Sequence, residues 1–168
     1  MNHIRISILA VLFALLHSCK YADTYETVNA DNKFTLSIPS WLKKEDNLAP
    51  GAQFQYANRF RNFYAIGFAE PKTDSLGFEG MMKKNIPQLK STLSNPLVTD
   101  STEVNYNGAN GVRLEIWGKM TDESIYFSEV YLETAKGLYH LSVWTRGDER
   151  KLKFKSEIDR ILESFKEL

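Results

Sequence analysis

Cys19 is the only cysteine of the 168-residue chain, and it lies just after an apolar run that spans residues 6 to 16. Arg5 precedes the run, and a cationic start followed by a short apolar core is typical of a secretory signal. As a helix the run extends only about 16 Å, which is too short to cross a hydrocarbon layer of about 30 Å. The pattern therefore predicts export, with the thiol of Cys19 available as a nucleophile.

The residues before Cys19 resemble the lipobox of bacterial lipoproteins, in which an aliphatic and two small residues precede a cysteine. Leu16, Ser18 and Cys19 match this pattern, whereas His17 stands where a small residue is usual. The resemblance implies cleavage between Ser18 and Cys19, with a diacylglyceryl group on the sulfur and often an acyl chain such as palmitate on the new amino terminus. Stable anchoring in a membrane requires more than one acyl chain. The alternative is an ordinary secretory signal with an unmodified cysteine.

We accordingly expect residues 1–18 to be a signal peptide, residues 19–24 a short tether and residues 25–168 a single domain. The 150 residues that follow the signal are the usual size of one domain. A tether of about five residues reaches no more than about 18 Å, so the domain would lie close to the membrane. Lys20, where enterobacterial inner-membrane lipoproteins carry aspartate, points by analogy to the outer membrane of the cell envelope. The face of the membrane is left open.

Charge and histidine content exclude several classes of function. Without its signal the chain has a formal net charge of −1 and one histidine, His140, so a nucleic-acid binder is not expected. His140 lies mid-strand between Tyr139 and Leu141, which favours a structural histidine over a catalytic base. A Gly-x-Ser-x-Gly elbow, a metal-ligand cluster and a phosphate-binding glycine loop are all missing from the sequence. We therefore expect no catalytic residues, metal or cofactor.

Two stretches could form an interaction surface. Arg59, Phe60 and Arg61 mix cations with an aromatic ring at a predicted hairpin tip, a composition typical of binding hot spots. The favoured alternative is that Phe60 folds inward while Phe63 and Tyr64 begin the next strand. A second, basic cluster could touch anionic headgroups, although a solvated helix face is favoured. That cluster comprises Arg146, Arg150, Lys151, Lys153 and Lys155.

Three aromatic residues of the later strands, Trp117, Tyr126 and Trp144, form a third candidate surface. If one face of the sheet lacks a covering helix, these rings would line a shallow apolar binding surface. If both faces are covered, the rings belong to the core, which is the favoured alternative.

Hydrophobic periodicity predicts an α+β fold, with an antiparallel sheet of about six to eight strands and two main helices. Apolar residues at helical spacing predict helices over residues 76–93, where Pro87 should kink or split the helix, and 148–166. Trp41 and Leu42 are expected in a short helical turn. Strands are expected over residues 25–28, 33–38, 53–56, 63–69, 97–106, 112–120, 125–134 and 138–145.

The order of elements resembles the PsbP-like family, which includes DcrB-like bacterial lipoproteins. The resemblance is carried by the segment Phe-Thr-Leu-Ser-Ile-Pro at residues 34–39 followed by Trp41, and by residues 161–166 after the strand at 138–144. It implies an α/β/α sandwich, with a central antiparallel sheet between helices, and a module that mostly binds partners. No binding residue carries over, because no matching motif is present.

The sequence as a whole favours a lipid-anchored envelope protein that acts as a non-catalytic binding or accessory module. Its expected partners are the membrane, through lipid on Cys19, and either an envelope protein or a small apolar ligand. An enzyme built on carboxylates and tyrosines, or a structural subunit of an envelope complex, are the alternatives.

Overall fold

The computed structural model describes residues 24–73 and 77–168, so the predicted signal, cleavage position and lipid attachment at Cys19 lie outside the described residues. Two helices are present in the described ranges, α1 (Phe78–Ser91) and α2 (Arg150–Glu163). The strands are β1 (Tyr25–Ala30), β2 (Phe34–Pro39), β3 (Lys43–Lys44), β4 (Phe54–Asn58), β5 (Phe63–Glu70), β6 (Ser94–Tyr106), β7 (Ala109–Met120), β8 (Glu123–Glu133), β9 (Leu138–Arg146) and β10 (Lys166–Glu167).

The strands form two antiparallel sheets. A seven-stranded sheet has the order β3-β4-β5-β9-β8-β7-β6, and a three-stranded sheet has the order β1-β2-β10. Strands β6 to β9 follow one another as a meander because each connection is a tight turn, as at Asn107 and Gly108, which both have positive φ. The predicted α+β fold with two main helices is confirmed, and seven strands in the main sheet fall within the predicted range.

Alternation along each strand of the main sheet separates two cores. On one face, α2 and the small sheet cover side chains such as Phe63 and Leu141, and Phe154 of α2 packs into the same core. On the other face, α1 covers the β7 and β8 side of the sheet, where Ile116 and Phe127 are buried. Both faces of the sheet therefore carry a helix, as the sandwich arrangement requires.

Three local predictions need correction. Helix α1 continues across Pro87 as one helix, so it is not split in two there; Pro87 lies in its third turn, where it removes one backbone donor. Trp41 and Leu42 form a single hydrogen-bonded turn, with Leu42 N 2.9 Å from Pro39 O, and the chain then enters β3 rather than a helix. The last helix ends at Glu163, because the following residues turn back to pair β10 with β2.

Within the described residues, no helix is both long enough and apolar enough to span a lipid bilayer.

Candidate functional site

A buried carboxylate lies in the middle of the main sheet, on the face that α1 covers. Glu129 follows the alternation of β8, which points it to the same side as Phe127 and Tyr131, and it is only 1% exposed. Its register partner on β9 is Ser142, whose hydroxyl donates to Oε1. The Nε2 atom of His140 lies 2.5 Å from Oε2. Both carboxylate oxygens are thus bonded, as a buried acid requires.

The imidazole of His140 is held in a fixed plane. It stacks on Tyr131, with ring centroids 4.6 Å apart and 4° between the planes, and on Phe68 on the other side at 5.8 Å and 12°. Because Nε2 is bonded to the carboxyl group of Glu129, the atom that remains for a ligand is Nδ1. Among the described residues, no hydrogen bond to Nδ1 is present, and the side chain is 14% exposed. His140 is therefore a rigid polar group with one free edge.

His140 belongs to the floor of a cleft of about 720 Å³. The cleft lies between α1 and the loop that precedes β4, over the part of the sheet formed by β5 and β9. Its apolar lining includes Leu48, Ala49, Pro50, Phe68, Ala69 and Leu89. Its polar lining includes Glu70, Lys84, Asn85, Gln88, Thr92 and His140. A largely apolar wall with a few convergent polar groups is what small-molecule sites in proteins usually have.

The loop on one side of this cleft is fixed by the side chains of two glutamines. The Oε1 atom of Gln55 accepts from the backbone nitrogens of Leu48 and Ala49, at 2.9 and 3.0 Å. The Oε1 atom of Gln53 accepts from the nitrogen of Ala69 at 2.8 Å. These bonds hold the loop in place before a ligand binds, so the loop loses less conformational entropy on binding.

At the predicted hairpin tip, the structure differs in one respect from the alternative that the sequence favoured. Phe60 is 99% exposed, so the expectation that it folds inward is wrong. The reason is that it lies beyond Asn58 and Phe63, the last paired residues of β4 and β5, in a turn closed by a bond of 3.1 Å from Arg61 N to Asn58 O. Phe63 does begin β5, as predicted.

The two arginines of the tip make defined contacts. Arg59 forms two bonds with Glu45, at 3.1 and 3.0 Å. The guanidinium of Arg61 lies over the ring of Trp41, 4.4 Å from its centroid. These contacts order the base of the tip and leave its apex to the solvent.

The three aromatic residues proposed as one surface lie on opposite faces. Trp117 packs with the buried Tyr126 on the α2 side, with ring centroids 5.0 Å apart. Trp144 lies on the α1 side and stacks on Tyr64, at 5.2 Å and 11°. Because the side chains of a strand alternate between faces, Trp117 and Trp144 cannot line one surface.

The predicted basic cluster is divided among separate contacts. Lys151 pairs with Glu115 at 2.5 Å and Lys155 with Asp159 at 2.7 Å. Arg150 donates to the carbonyl oxygen of Arg61. Lys151 therefore ties α2 to the main sheet and Arg150 ties it to the tip, whereas Lys155 pairs within the helix.

A partly buried ion pair between Arg113 on β7 and Asp159 on α2 was not predicted. The Nη2 atom of Arg113 lies 2.7 Å from Oδ1 of Asp159, and its Nε donates to the hydroxyl of Ser128 at 2.9 Å. Burial lowers the pKa of Arg113, but the adjacent carboxylate outweighs burial and leaves the pKa above its ordinary value. The pair contacts none of the cleft residues and joins α2 to the sheet.

The residues that build the cleft were missed, although one signal for them is present in the sequence. Ser128 and Glu129 interrupt the otherwise apolar run of residues 125 to 132, and a charge at that position must have a partner. His140, the one histidine expected in the domain, is that partner. The sequence shows no comparable signal for the cleft walls, which are formed by residues 48–51 and by α1.

At the level of sequence, no protein-family model and no curated protein matches the chain. Solved structures do. The chain superposes on cyanobacterial PsbP (CyanoP) from Synechocystis sp. PCC 6803 with a TM-score of 0.65, at 11% identity, over 90% of this chain and 98% of that one. The chain has a PsbP-like fold.

Two further solved structures have this arrangement. LpqN of Mycobacterium tuberculosis, described as involved in cell envelope biogenesis, matches with a TM-score of 0.61 at 12% identity, over 87% of this chain and 91% of that one. The Ran-binding protein Mog1p of Saccharomyces cerevisiae matches with a TM-score of 0.60 at 9% identity, over 86% and 96%. Since such identities establish the fold alone, function must be argued from the site.

Proposed function

We propose that this protein is a lipid-anchored component of the bacterial cell envelope that binds a small amphipathic molecule and performs no chemistry on it. The observation that carries the binding function is the cleft over β5 and β9, with His140 fixed in its floor. Its volume of about 720 Å³ lies in the range of clefts that take small ligands.

The lining of the cleft indicates the chemistry of its ligand. Leu48, Phe68 and Leu89 would receive an apolar body. Lys84, Asn85 and Gln88 lie on the α1 side and offer N–H donors, which suit an acceptor-rich head such as a carboxylate. Glu70 is the one carboxylate that lines the cleft, and it would repel a nearby acidic group. The ligand should therefore carry a single acidic group that lies away from Glu70.

Binding is favoured over catalysis by how the polar groups are connected. The hydroxyl of Ser142 donates to Glu129, and His140 is also bonded to Glu129, so the serine is not bonded to the histidine. A serine nucleophile needs that second contact to lose its proton. The cluster therefore serves to hold the imidazole plane, which is a positioning role.

The anchor is supported by the sequence around Cys19, which matches a lipobox at three of its positions. Structural similarity to LpqN is compatible with an envelope location, because that protein is involved in envelope biogenesis. A domain tethered by a few residues would take its ligand from, or deliver it to, the adjacent lipid layer.

A photoreactive medium-chain fatty acid tests the cleft directly. The anchored protein in native membranes is labelled, and the labelled peptides are identified by mass spectrometry. We expect labelling of the α1 segment around Leu89 and of the loop around Pro50. Leu89→Arg should abolish it, because the arginine fills the cleft, whereas Leu152→Arg, the same change at an exposed site on α2, should not. Equal labelling in both variants would exclude the cleft as the binding site.

Globomycin, which blocks lipoprotein signal cleavage, tests the anchor. We expect the precursor to accumulate, and the mass of the processed amino-terminal peptide to include a diacylglyceryl group on Cys19. A processed chain that carries a bare thiol would contradict the anchor and would leave the cleft unaffected.

A further inference from the structure

The chain leaves the folded domain beside the exposed tip between β4 and β5. Thr24, the first described residue, is held at Ser40, whose nitrogen donates to Thr24 O at 2.8 Å and whose hydroxyl lies 2.7 Å from that of Thr24. The next residue, Trp41, accepts a bond of 2.9 Å at its carbonyl oxygen from Nδ2 of Asn58. Since Asn58 ends β4, the exit of the N-terminal segment and the tip lie at the same end of the sheet.

The tip itself consists of residues 58–62 and presents one large apolar side chain. Phe60 is 99% exposed at its apex, with Arg59 and Arg61 on either side. The tip is held firmly. Arg146 N donates to Asn62 O at 3.2 Å, and the Arg61 guanidinium rests on Trp41, which packs edge-on against Phe63. An exposed ring on a fixed turn between two cations is a composition suited to the boundary between lipid headgroups and acyl chains.

The charge around the tip favours an anionic lipid surface at its apex. Arg61 has no ion-pair partner among the described residues, and the exposed Lys43 donates only to the carbonyl oxygen of Ser40, at 2.8 Å. Glu45 neutralises Arg59 in part, and the acidic Asp148 and Glu149 lie on the neighbouring connection between β9 and α2. The two residues that flank the apex, Arg59 and Arg61, are thus both cations, and Arg61 keeps its charge unpaired.

We infer that the tip of residues 58–62 docks on the membrane that anchors the protein, with Phe60 inserted at the headgroup level and Arg61 at the lipid phosphates. This inference rests on the proposed anchor, because only four residues lie between Cys19 and Thr24. Such a segment spans at most about 18 Å, which keeps this end of the sheet near the bilayer. Docking would fix the orientation of the domain, whereas a tether alone would let it turn.

A label at position 60 tests the inference. Since lipid blocks the sulfur of Cys19, Phe60→Cys introduces the only free thiol, which is coupled to an NBD fluorophore. The lipoprotein is then placed in vesicles of phosphatidylethanolamine and phosphatidylglycerol and recovered by flotation. We expect a several-fold rise and a blue shift of the emission, with quenching by doxyl-labelled lipid. Ala135→Cys, in an exposed turn at the opposite end of the sheet, is the matched control and should report water.

The outcomes separate this inference from the proposed function. Protein that fails to float with the vesicles lacks the anchor, which overturns the proposed location and the docking with it. Protein that floats while its label at position 60 behaves like the label at position 135 keeps the anchor and overturns the docking. If the label at position 60 shows a blue shift in vesicles but is not quenched by doxyl-labelled lipid, the tip contacts another protein molecule rather than lipid. That result would also overturn the docking.

Discussion

His140 reaches Glu129 diagonally across two paired strands, with Nε2 2.5 Å from Oε2, while Ser142 is the residue directly opposite the glutamate. One carboxylate therefore holds two residues of β9 whose side chains point to the same face. The arrangement leaves the imidazole a single orientation, because Tyr131 and Phe68 stack on its two sides. A buried charge used in this way gives orientation rather than net stability.

Removal of this carboxylate should cost more than removal of either partner. In Glu129→Ala, both His140 and Ser142 lose their acceptor inside the sheet, and we expect the free energy of unfolding to fall by about 2–4 kcal/mol. In Ser142→Ala the carboxylate keeps its bond to His140, so a loss of about 1 kcal/mol is expected. Urea denaturation followed by circular dichroism measures both values.

Glu103→Ala, an exposed acid on β6, is the control and should leave the unfolding free energy nearly unchanged. If Glu129→Ala were no more destabilising than this control, the carboxylate would not be the group that holds His140.

The sheet was predictable because its strands follow simple alternation. The run of Phe34, Leu36 and Ile38 alternates with polar residues and forms β2, with all three side chains buried. The short turns of the meander, such as that at Asn107 and Gly108, need residues that tolerate positive φ, and the sequence supplies them. These signals are local, so a single sequence suffices to find them.

The cleft was not predictable because its parts meet only through long-range pairing. Phe68 and His140 are register partners across β5 and β9, yet 71 positions intervene between them in the chain. The prediction for Phe60 was wrong for a related reason. Its neighbours suggested an inward turn, but the pairing of Asn58 with Phe63 places it at the apex, out of reach of any core. Neither relationship can be derived from periodicity alone.

Two buried tyrosines should respond in opposite directions to loss of their hydroxyl groups. The hydroxyl of Tyr131 is buried without a hydrogen-bond partner among the described residues, whereas that of Tyr139 donates to Glu167 at 2.6 Å. We expect Tyr131→Phe to raise the free energy of unfolding by about 1 kcal/mol and Tyr139→Phe to lower it by a similar amount. Chemical denaturation of the two variants provides the comparison, and an equal loss in both would show that the Tyr131 hydroxyl does have a partner.

Tyr131 should also affect stability at alkaline pH. Burial, and then the charge of Glu129, raise the pKa of Tyr131 above its ordinary value. A raised pKa in the folded state means that stability declines once the pH exceeds the unfolded value of about 10. Tyr131→Phe should therefore lose less stability than the parent protein between neutral and alkaline pH. Melting temperatures across that range measure the difference, and parallel curves would argue against a contribution from Tyr131.

At acid pH the contact between α2 and the sheet should weaken through Asp159. Burial raises the pKa of this carboxyl, but the bonds from Lys155 and Arg113 outweigh burial and hold the pKa below its ordinary value. Its stabilising contribution is complete above the unfolded pKa of about 3.9 and is lost as the pH falls through the lower, folded value. Asp159→Asn should be less stable at neutral pH and should lose less on acidification. Glu157→Gln, on the same helix, is the control, and an identical acid profile for both variants would contradict the assignment.

Gly111 on β7 should tolerate no side chain, because the backbone of β8 approaches it too closely. A Cβ atom at this position would lie 1.9 Å from the carbonyl oxygen of Tyr131, and no rotation of a side chain could relieve that clash. We expect Gly111→Ala to lower the free energy of unfolding by about 3 kcal/mol or more, since β7 must move away from β8. Gly77→Ala, where nothing lies within 4 Å, is the control; since Gly77 is the N-cap of α1 and alanine is a poorer cap, we expect a loss of no more than about 1 kcal/mol. Equal stability of the two variants in urea would mean that β7 and β8 are farther apart at Gly111 than the register requires.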